Sequence, residues 1–238
     1  MKAFLLAAGA GTRLRPLTDT LPKCLLPVRG VPLLNIWLEN CKAAGIDEVL
    51  INVHFHPQAV KDFAAANDSG VALRIVEERE LLGSAGTLAE NRSYVQDQDA
   101  FFVLYGDVLT NIDLSEMLAF HRRVKMPVTL AIHQVADPRQ CGIVTADESG
   151  VIQRFVEKPA RPESNWAFSG VMIAHPKVLD VVPPARPLDV GFHLLPLLVG
   201  QMAAYKISGY LADIGTLQTY AAAQVSWPGL QQNSRRGA

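Results

Sequence analysis

The sequence predicts an α/β fold, a three-layer sandwich with helices on both faces of a mostly parallel, mixed central sheet. Three features carry that expectation. Apolar runs recur at 3–8, 48–53 and 100–105, each the length of a buried strand, and 71–76 follows as another strand. The segments between the first of them space their apolar residues as helices do, giving the β-α-β-α-β rhythm of a parallel sheet. The first run then breaks into Gly9-Ala10-Gly11 at a strand's carboxyl end, the edge where open parallel sheets keep their ligand crevice.

After the first strand, 31–44 has helical periodicity and stops at Gly45, a C-terminal cap. Glu48 to Val53 reads as a buried strand, Pro57 opens a helix running toward Asn67, and Val71 to Val76 is the next strand. Ala100 to Tyr105 ends at Gly106-Asp107, followed by a helix over 113–124 and a strand over 128–133. The turn Asp147-Glu-Ser-Gly150 makes a hairpin of 142–145 and 151–156. Trp166 to Ala174 is a strand. A helix interrupted by Pro196 is expected over 190–202, a strand over 204–212, and a last helix over 217–226. The whole reads as one domain over 1–228, with a frayed tail over 229–238.

The chain has 238 residues, ample for a large core, and its apolar share of 49% is that of an ordinary globular domain. Net charge is −1, so no global basic field argues for nucleic acid or an anionic membrane as partner. No stretch reads as a signal sequence or a membrane span. Cys24, Cys41 and Cys141 are odd in number and widely spaced, which argues against a disulfide framework or zinc site and fits a cytoplasmic protein.

Chemistry concentrates around the first turn. Gly9 and Gly11 let a ligand approach the backbone, and Thr12, Arg13, Arg15 and Lys23 add a hydroxyl and three cations, the equipment of a polyphosphate site. A dinucleotide fingerprint does not fit, because Leu14 stands at the third glycine position. A Walker loop does not fit either, because Gly11 is followed by Thr12-Arg13 with no lysine until Lys23. Asp107 and Asp213 each end an apolar strand; they either share a Mg²⁺ ion, or Asp107 merely ends its strand while Asp213 caps the helix after it. Glu157-Lys158 beside Pro159 is either a surface ion pair or a second charged clamp. His54 and His56 border the same edge, whereas His175 and His193 read as structural.

The run Leu5-Ala-Ala-Gly-x-Gly-Thr-Arg-Leu-x-Pro-Leu-Thr, then Pro22-Lys23 and Leu25-Leu-Pro-Val28, resembles the signature of the sugar-1-phosphate nucleotidyltransferases. Four further segments are similar to that family's motifs: Leu82-Gly-Ser-Ala-Gly86, Tyr105-Gly-Asp107, Phe155-Val-Glu-Lys-Pro159 and Asp213-Ile-Gly-Thr216. The resemblance implies a Rossmann-like nucleotide-diphospho-sugar transferase fold, and the short length implies no C-terminal β-helix and no second activity. It implies that a nucleoside triphosphate lies on Leu6, Ala8, Gly9, Gly11, Thr12, Arg13 and Lys23, with Gly83, Ser84 and Gly86 beside its base or ribose. Glu157, Lys158, Ser169 and Gly170 would hold the sugar 1-phosphate, Asp107 and Asp213 would hold Mg²⁺, and Arg13, Lys23 and Lys158 would be catalytic.

The implied reaction joins the two substrates into an NDP-sugar and releases pyrophosphate. The segment Asp189 to Leu198 is similar to guanylyltransferases acting on mannose 1-phosphate, which puts GTP with a mannose-1-phosphate-like sugar first. Phe168-Ser-Gly170 departs from the usual asparagine motif and keeps open UTP with N-acetylmuramate 1-phosphate, or dTTP or UTP with glucose 1-phosphate. A catalytically silent relative that only senses sugar nucleotides is the alternative from another class; retained charge at Arg13, Lys23, Asp107, Lys158 and Asp213 argues against it.

Overall fold

The computed structural model describes residues 1–230. In chain order the elements are β1 Lys2–Leu6, β2 Pro27–Val28, β3 Val31–Pro32, α1 Leu33–Ala43, β4 Glu48–Val53, α2 Pro57–Ala65, β5 Ala72–Glu77, α3 Ser84–Glu90 and β6 Phe101–Tyr105. There follow β7 Val108–Thr110, α4 Leu114–Val124, β8 Val128–Gln134, β9 Gly142–Ala146, β10 Ile152–Glu157, β11 Trp166–Ala174, β12 Met202–Lys206, β13 Leu211–Asp213 and α5 Leu217–Ser226.

The first strand sits at the centre. β1 pairs in parallel with β4 on one side and β6 on the other, and β5 continues the parallel half beyond β4. On the far side β11 runs antiparallel to β6 and carries both β8 and the β9–β10 hairpin; β12 closes that edge parallel to β8. The expected mostly parallel, mixed sheet is therefore present, with its core packed on both faces. Phe102, Leu104, Leu34 and Trp37 belong to one cluster, and Phe4, Phe101, Leu88 and Met172 to the other. Strands buried on both faces show the continuous apolar runs that marked them in the sequence. The three cysteines are free thiols, and burial pushes the Cys24 and Cys41 thiols up to about 12.

Two expected elements differ. The helix over 190–202 is instead a five-residue π turn, Val190–Leu194, followed by a 3-10 turn, Leu195–Leu198. Pro196 supplies no N–H to an α-helix, and Gly191 is drawn inward where a Cβ would stand 2.3 Å from Glu157 Oε2. The strand expected over 204–212 ends at Lys206; a separate strand, β13, leaves the main sheet and pairs with β7. The tail expected to fray over 229–238 lies outside the described residues from 231 onward.

The segment before the π turn is docked on the entry to α3. Leu188 O accepts from Ala85 N at 2.9 Å and Gly86 N at 3.2 Å, and Leu188 N donates to Leu82 O at 2.9 Å. Gly83, at φ 75°, allows this approach: a Cβ there would lie 2.3 Å from Leu188 O. Gly83→Ala is expected to cost about 2–4 kcal/mol, from left-handed backbone strain plus a collision with main chain that cannot step aside. Urea denaturation of the purified variant measures it, and a loss below about 0.5 kcal/mol would contradict this docking.

Candidate active site

β1, β4 and β6 run in the same direction and end at one edge, so the turns after them share a cleft. Ala7 to Gly11 follows β1. A Cβ on Gly9 would meet nothing within 4 Å, so the main chain there opens to the cleft, whereas Gly11 takes φ 61° against the Thr18 side chain. Thr12 and Arg13 sit on the 3-10 turn that follows, both exposed. Beneath the turn a cavity of about 30 Å³ is lined by Leu6, Ala7, Gly9, Lys23, Gly106 and Asp107.

Asp107 and Asp213 meet in space. β13 runs antiparallel to β7 with Asp213 opposite Val108, and Ile214 N donates to Asp107 O at 2.9 Å. Lys23 lies between the carboxylates, its Nζ 2.8 Å from Asp107 Oδ2 and 3.9 Å from Asp213 Oδ1. The lysine side chain is 12% exposed, against 42% for Asp107 and 67% for Asp213, so the cation forms the floor and the acids the walls. Arg13 closes the group from above: its guanidinium nitrogen would stand 3.2 Å from a Cβ on Gly215. Asp213 titrates above the ordinary carboxylate range, first because the site walls desolvate it and next because Asp107 is near; Lys23 and Arg13 oppose the shift.

The alternative that Asp213 caps the following helix is ruled out. Thr216 is the N-cap of α5, accepting from Thr219 N at 3.1 Å. Among the described residues no cluster of three or more His, Cys, Asp or Glu side chains could hold a metal. Two converging carboxylates still suit a hard divalent ion that takes most of its shell from phosphate or water oxygens. Asp107 and Asp213 fit that description; like-charge proximity of two acids at a strand edge is the arrangement a divalent cation relieves.

The hairpin brings the second charged group to the same cleft. Glu157 ends β10, and Lys158 takes a left-handed φ of 49° with its N–H on Cys141 O at 2.9 Å. The Lys158 ammonium stands 5.9 Å from the centre of the half-exposed Phe192 ring, a cation–π geometry. Glu157 fits between two glycines: Cβ atoms on Gly142 and Gly191 would lie 2.6 Å and 2.3 Å from its Oε2. Burial raises its carboxyl above the usual range, with Asp189 adding to the shift and Lys158 opposing it. On β11, Gly170 (φ 78°) sits against Tyr105, and Ser169 is buried with no hydrogen-bond partner for its hydroxyl.

The glycine-rich Leu81 to Thr87 segment is already engaged within the protein. Ser84 Oγ donates to Asp189 Oδ2 at 2.9 Å and accepts from Val190 N at 2.7 Å, while Leu188 O takes the N–H groups of Ala85 and Gly86. Ser84 therefore ties the glycine-rich loop to the segment bearing Phe192. Arg15 pairs with Asp19 at 3.2 Å as an exposed surface pair. His54 binds Glu78 O and His56 approaches Thr18 O.

Sequence inspection missed a buried polar knot under the cleft. Asn52 Oδ1 accepts from Ala7 N at 2.8 Å, and its amide donates to Glu78 Oε1 and Thr87 Oγ1 at 2.9 and 3.0 Å. Thr87 Oγ1 donates to Glu78 Oε1 and Leu82 N to Glu78 Oε2, so the Glu78 carboxylate is satisfied without a cation. The knot pins Ala7, at the start of the first loop, to the entry of α3. An asparagine inside an otherwise apolar strand, Glu48 to Val53, was the available signal.

Lys23→Met is expected to lower stability at pH 7 by about 1–2 kcal/mol, because Asp107 loses a charged hydrogen bond and faces Asp213 uncompensated. The penalty should shrink as pH falls. A carboxyl with a raised folded-state pKa stabilises the fold below its unfolded pKa and loses that contribution as pH rises through the folded value. Removing the lysine raises that value further, so protonating Asp213 repays the loss. Thermal melts of both proteins from pH 4 to 8 measure the gap; a gap that widens toward acid contradicts the arrangement.

Comparisons with known proteins place the chain among known families and folds. The model of the family described as "Nucleotidyl transferase" matches residues 2–227. The chain is 34% identical over 227 residues to mannose-1-phosphate guanylyltransferase 1 of Arabidopsis thaliana, covering 92% of this chain and 63% of the relative. It is 33% identical over 223 residues to mannose-1-phosphate guanylyltransferase of Mycobacterium tuberculosis, covering 92% and 62%. The chain thus spans about three fifths of the length of these curated relatives. The fold matches a UDP-glucose pyrophosphorylase complexed with UDP-glucose at TM-score 0.82 and 23% identity, over 95% of this chain and 97% of that one. Among the described residues no helix is long and apolar enough to cross a membrane. With its glycine turn, paired carboxylates and Glu-Lys clamp on one edge of a sheet of this topology, the chain belongs to the nucleotidyl transferase family.

Proposed function

We propose that this chain joins a nucleoside triphosphate to a sugar 1-phosphate, releasing pyrophosphate and an NDP-sugar. The observation that carries the proposal is the convergence of Arg13, Lys23, Asp107 and Asp213 under the opened backbone of Gly9, with Glu157 and Lys158 reaching the same edge from the hairpin. One group is suited to a triphosphate, the other to a phosphorylated sugar.

The chemistry needs no protein nucleophile. An oxygen of the sugar phosphate, already anionic, attacks the α-phosphorus; the new P–O bond forms as the bond to the β-phosphate breaks and pyrophosphate departs. Lys158 offsets the repulsion between the two anionic substrates, Arg13 and Lys23 neutralise the triphosphate and the leaving pyrophosphate, and Glu157 accepts from sugar hydroxyls. Asp107 and Asp213 would hold Mg²⁺, which supplies charge neutralisation and alignment of the phosphate oxygens when bound. Lys23 then exchanges its contact with Asp107 for one with phosphate.

GTP and a mannose-1-phosphate-like sugar are the proposed pair, supported by the guanylyltransferases among the relatives at 33–36% identity. The proposed setting is the cytoplasm, supported by the three free thiols, and neither nucleic acid nor membrane is a proposed partner.

The test is pyrophosphate release by the purified chain with Mg²⁺, crossing GTP, UTP and dTTP with mannose, glucose and N-acetylmuramate 1-phosphates. GTP with mannose 1-phosphate is expected to be fastest; no release from any pair would contradict the reaction. Asp107→Asn and Asp213→Asn should each lower turnover by about a hundredfold or more while the fold persists. Lys158→Ala should raise KM for the sugar phosphate and leave nucleotide binding, read by calorimetry, unchanged.

A further inference from the structure

A large cavity in the described residues lies away from this cleft, at the opposite edge of the sheet. It has a volume of about 970 Å³ and opens among the starts of β1, β6 and β8 and the end of β11, with Met1, Ala100, Pro127 and His175 on its walls. β6 alone puts five residues between the two edges, roughly 16 Å of strand. No residue of the catalytic cleft lines it.

Its walls have two kinds of surface. Ala100, Leu118 and Leu198, all buried, with Met126, Pro127 and Val178, make an apolar floor. Arg122, Lys125 and Lys177 stand on the rim with His121 and His175, and Asp99 is the single acidic side chain among the lining residues. In a chain of net charge −1 this is a local excess of positive charge. None of the three cations takes part in the ion pairs formed among the described residues.

The end of α4 by itself favours cations, because its last carbonyls are partial negative charges. That explains Arg122 but not Lys177 and His175, which come from the separate turn at Pro176–Val181 and converge on the same space. The two histidines are also pre-set. His175 Nδ1 accepts from Lys177 N at 3.1 Å, which leaves its Nε2 as the protonated donor. His121, 8% exposed, is held at Nδ1 by the fully buried Thr129 hydroxyl at 2.8 Å, leaving Nε2 for the cavity it lines. Burial first, then Arg122 and His175, disfavour a charge on His121.

Apolar floor, cationic rim and volume together suit a molecule with a flat apolar part and a phosphate tail. We propose that this cavity is a second, non-catalytic site for a nucleoside phosphate, its base on the floor and its phosphates on Arg122, Lys125 and Lys177. The site stands independently of the catalytic proposal, because it is tested by binding rather than turnover.

Calorimetry with GDP, UDP, dTDP, ADP and inorganic phosphate, in the absence of sugar phosphate, reads it directly. With at least one nucleoside diphosphate the wild-type chain should bind one equivalent more than R122E/K177E, whether or not the other cleft takes up the same ligand. The neutral pair R122Q/K177Q should weaken the distal site by about a hundredfold, at about tenfold for each cation neutralised. Lys23→Met, altered in the other cleft, should keep distal binding. These exposed rim positions leave the fold intact, checked by thermal melts. A single equivalent that R122E/K177E retains would overturn the proposal. So would inorganic phosphate binding as tightly as every nucleoside diphosphate, since the apolar floor would then take no part.

Discussion

Two carboxylates cannot share a half-desolvated cleft without a cation, and in this chain Lys23 meets that need. Losing a charged hydrogen bond of this kind costs about 1–2 kcal/mol even where the acids are partly exposed, so the position of Lys23 is not a detail of the surface. It requires the first loop to return a lysine beneath the end of β1, β6 to deliver Asp107 beside it, and the short β7–β13 ribbon to carry Asp213 across from the far end of the chain. The same two acids whose charges Lys23 offsets suit a divalent ion, and under the proposed function that lysine turns to a phosphate when the ion is held there. Stability and chemistry thus draw on one set of charges.

Around that centre the loops are held by main-chain contacts and buried polar groups more than by ion pairs. The Asn52, Glu78 and Thr87 knot fastens the opening of the glycine turn to α3, and Leu188 together with Ser84 and Asp189 fastens α3 to the segment that carries Phe192 over Lys158. The first glycine turn and the Glu157–Lys158 hairpin end are therefore mechanically joined through α3. Preorganisation of this kind is what phosphoryl transfer requires, because the protein contributes position and field rather than a covalent step.

Much of the fold was legible because the parallel strands are buried on both faces: the runs at 3–8, 48–53 and 100–105 have no competing periodicity. Trp166–Ala174 and Leu217–Ser226 emerged with the expected bounds. The region from Val190 to Asp213 did not, for a local reason. Its backbone is shaped by partners distant in sequence: the Glu157 carboxylate against Gly191, and β7 against β13. Asp107 and Asp213 could be suspected from strand ends, but only the antiparallel ribbon brings them together. Glu78 and Asn52 carried no motif, and the distal cavity is assembled from residues that no single stretch of sequence unites.

Under the proposed function Lys23 and the two aspartates act as one exchangeable charge centre. A crystal structure of the chain with Mg²⁺ and a non-hydrolysable triphosphate tests that most directly. It should show the ion between Asp107 and Asp213, phosphate against Gly9 and Arg13, and Lys23 Nζ drawn out of hydrogen-bond distance of Asp107 toward a phosphate oxygen. A metal bound elsewhere, with the Lys23–Asp107 pair intact beneath the nucleotide, would contradict it.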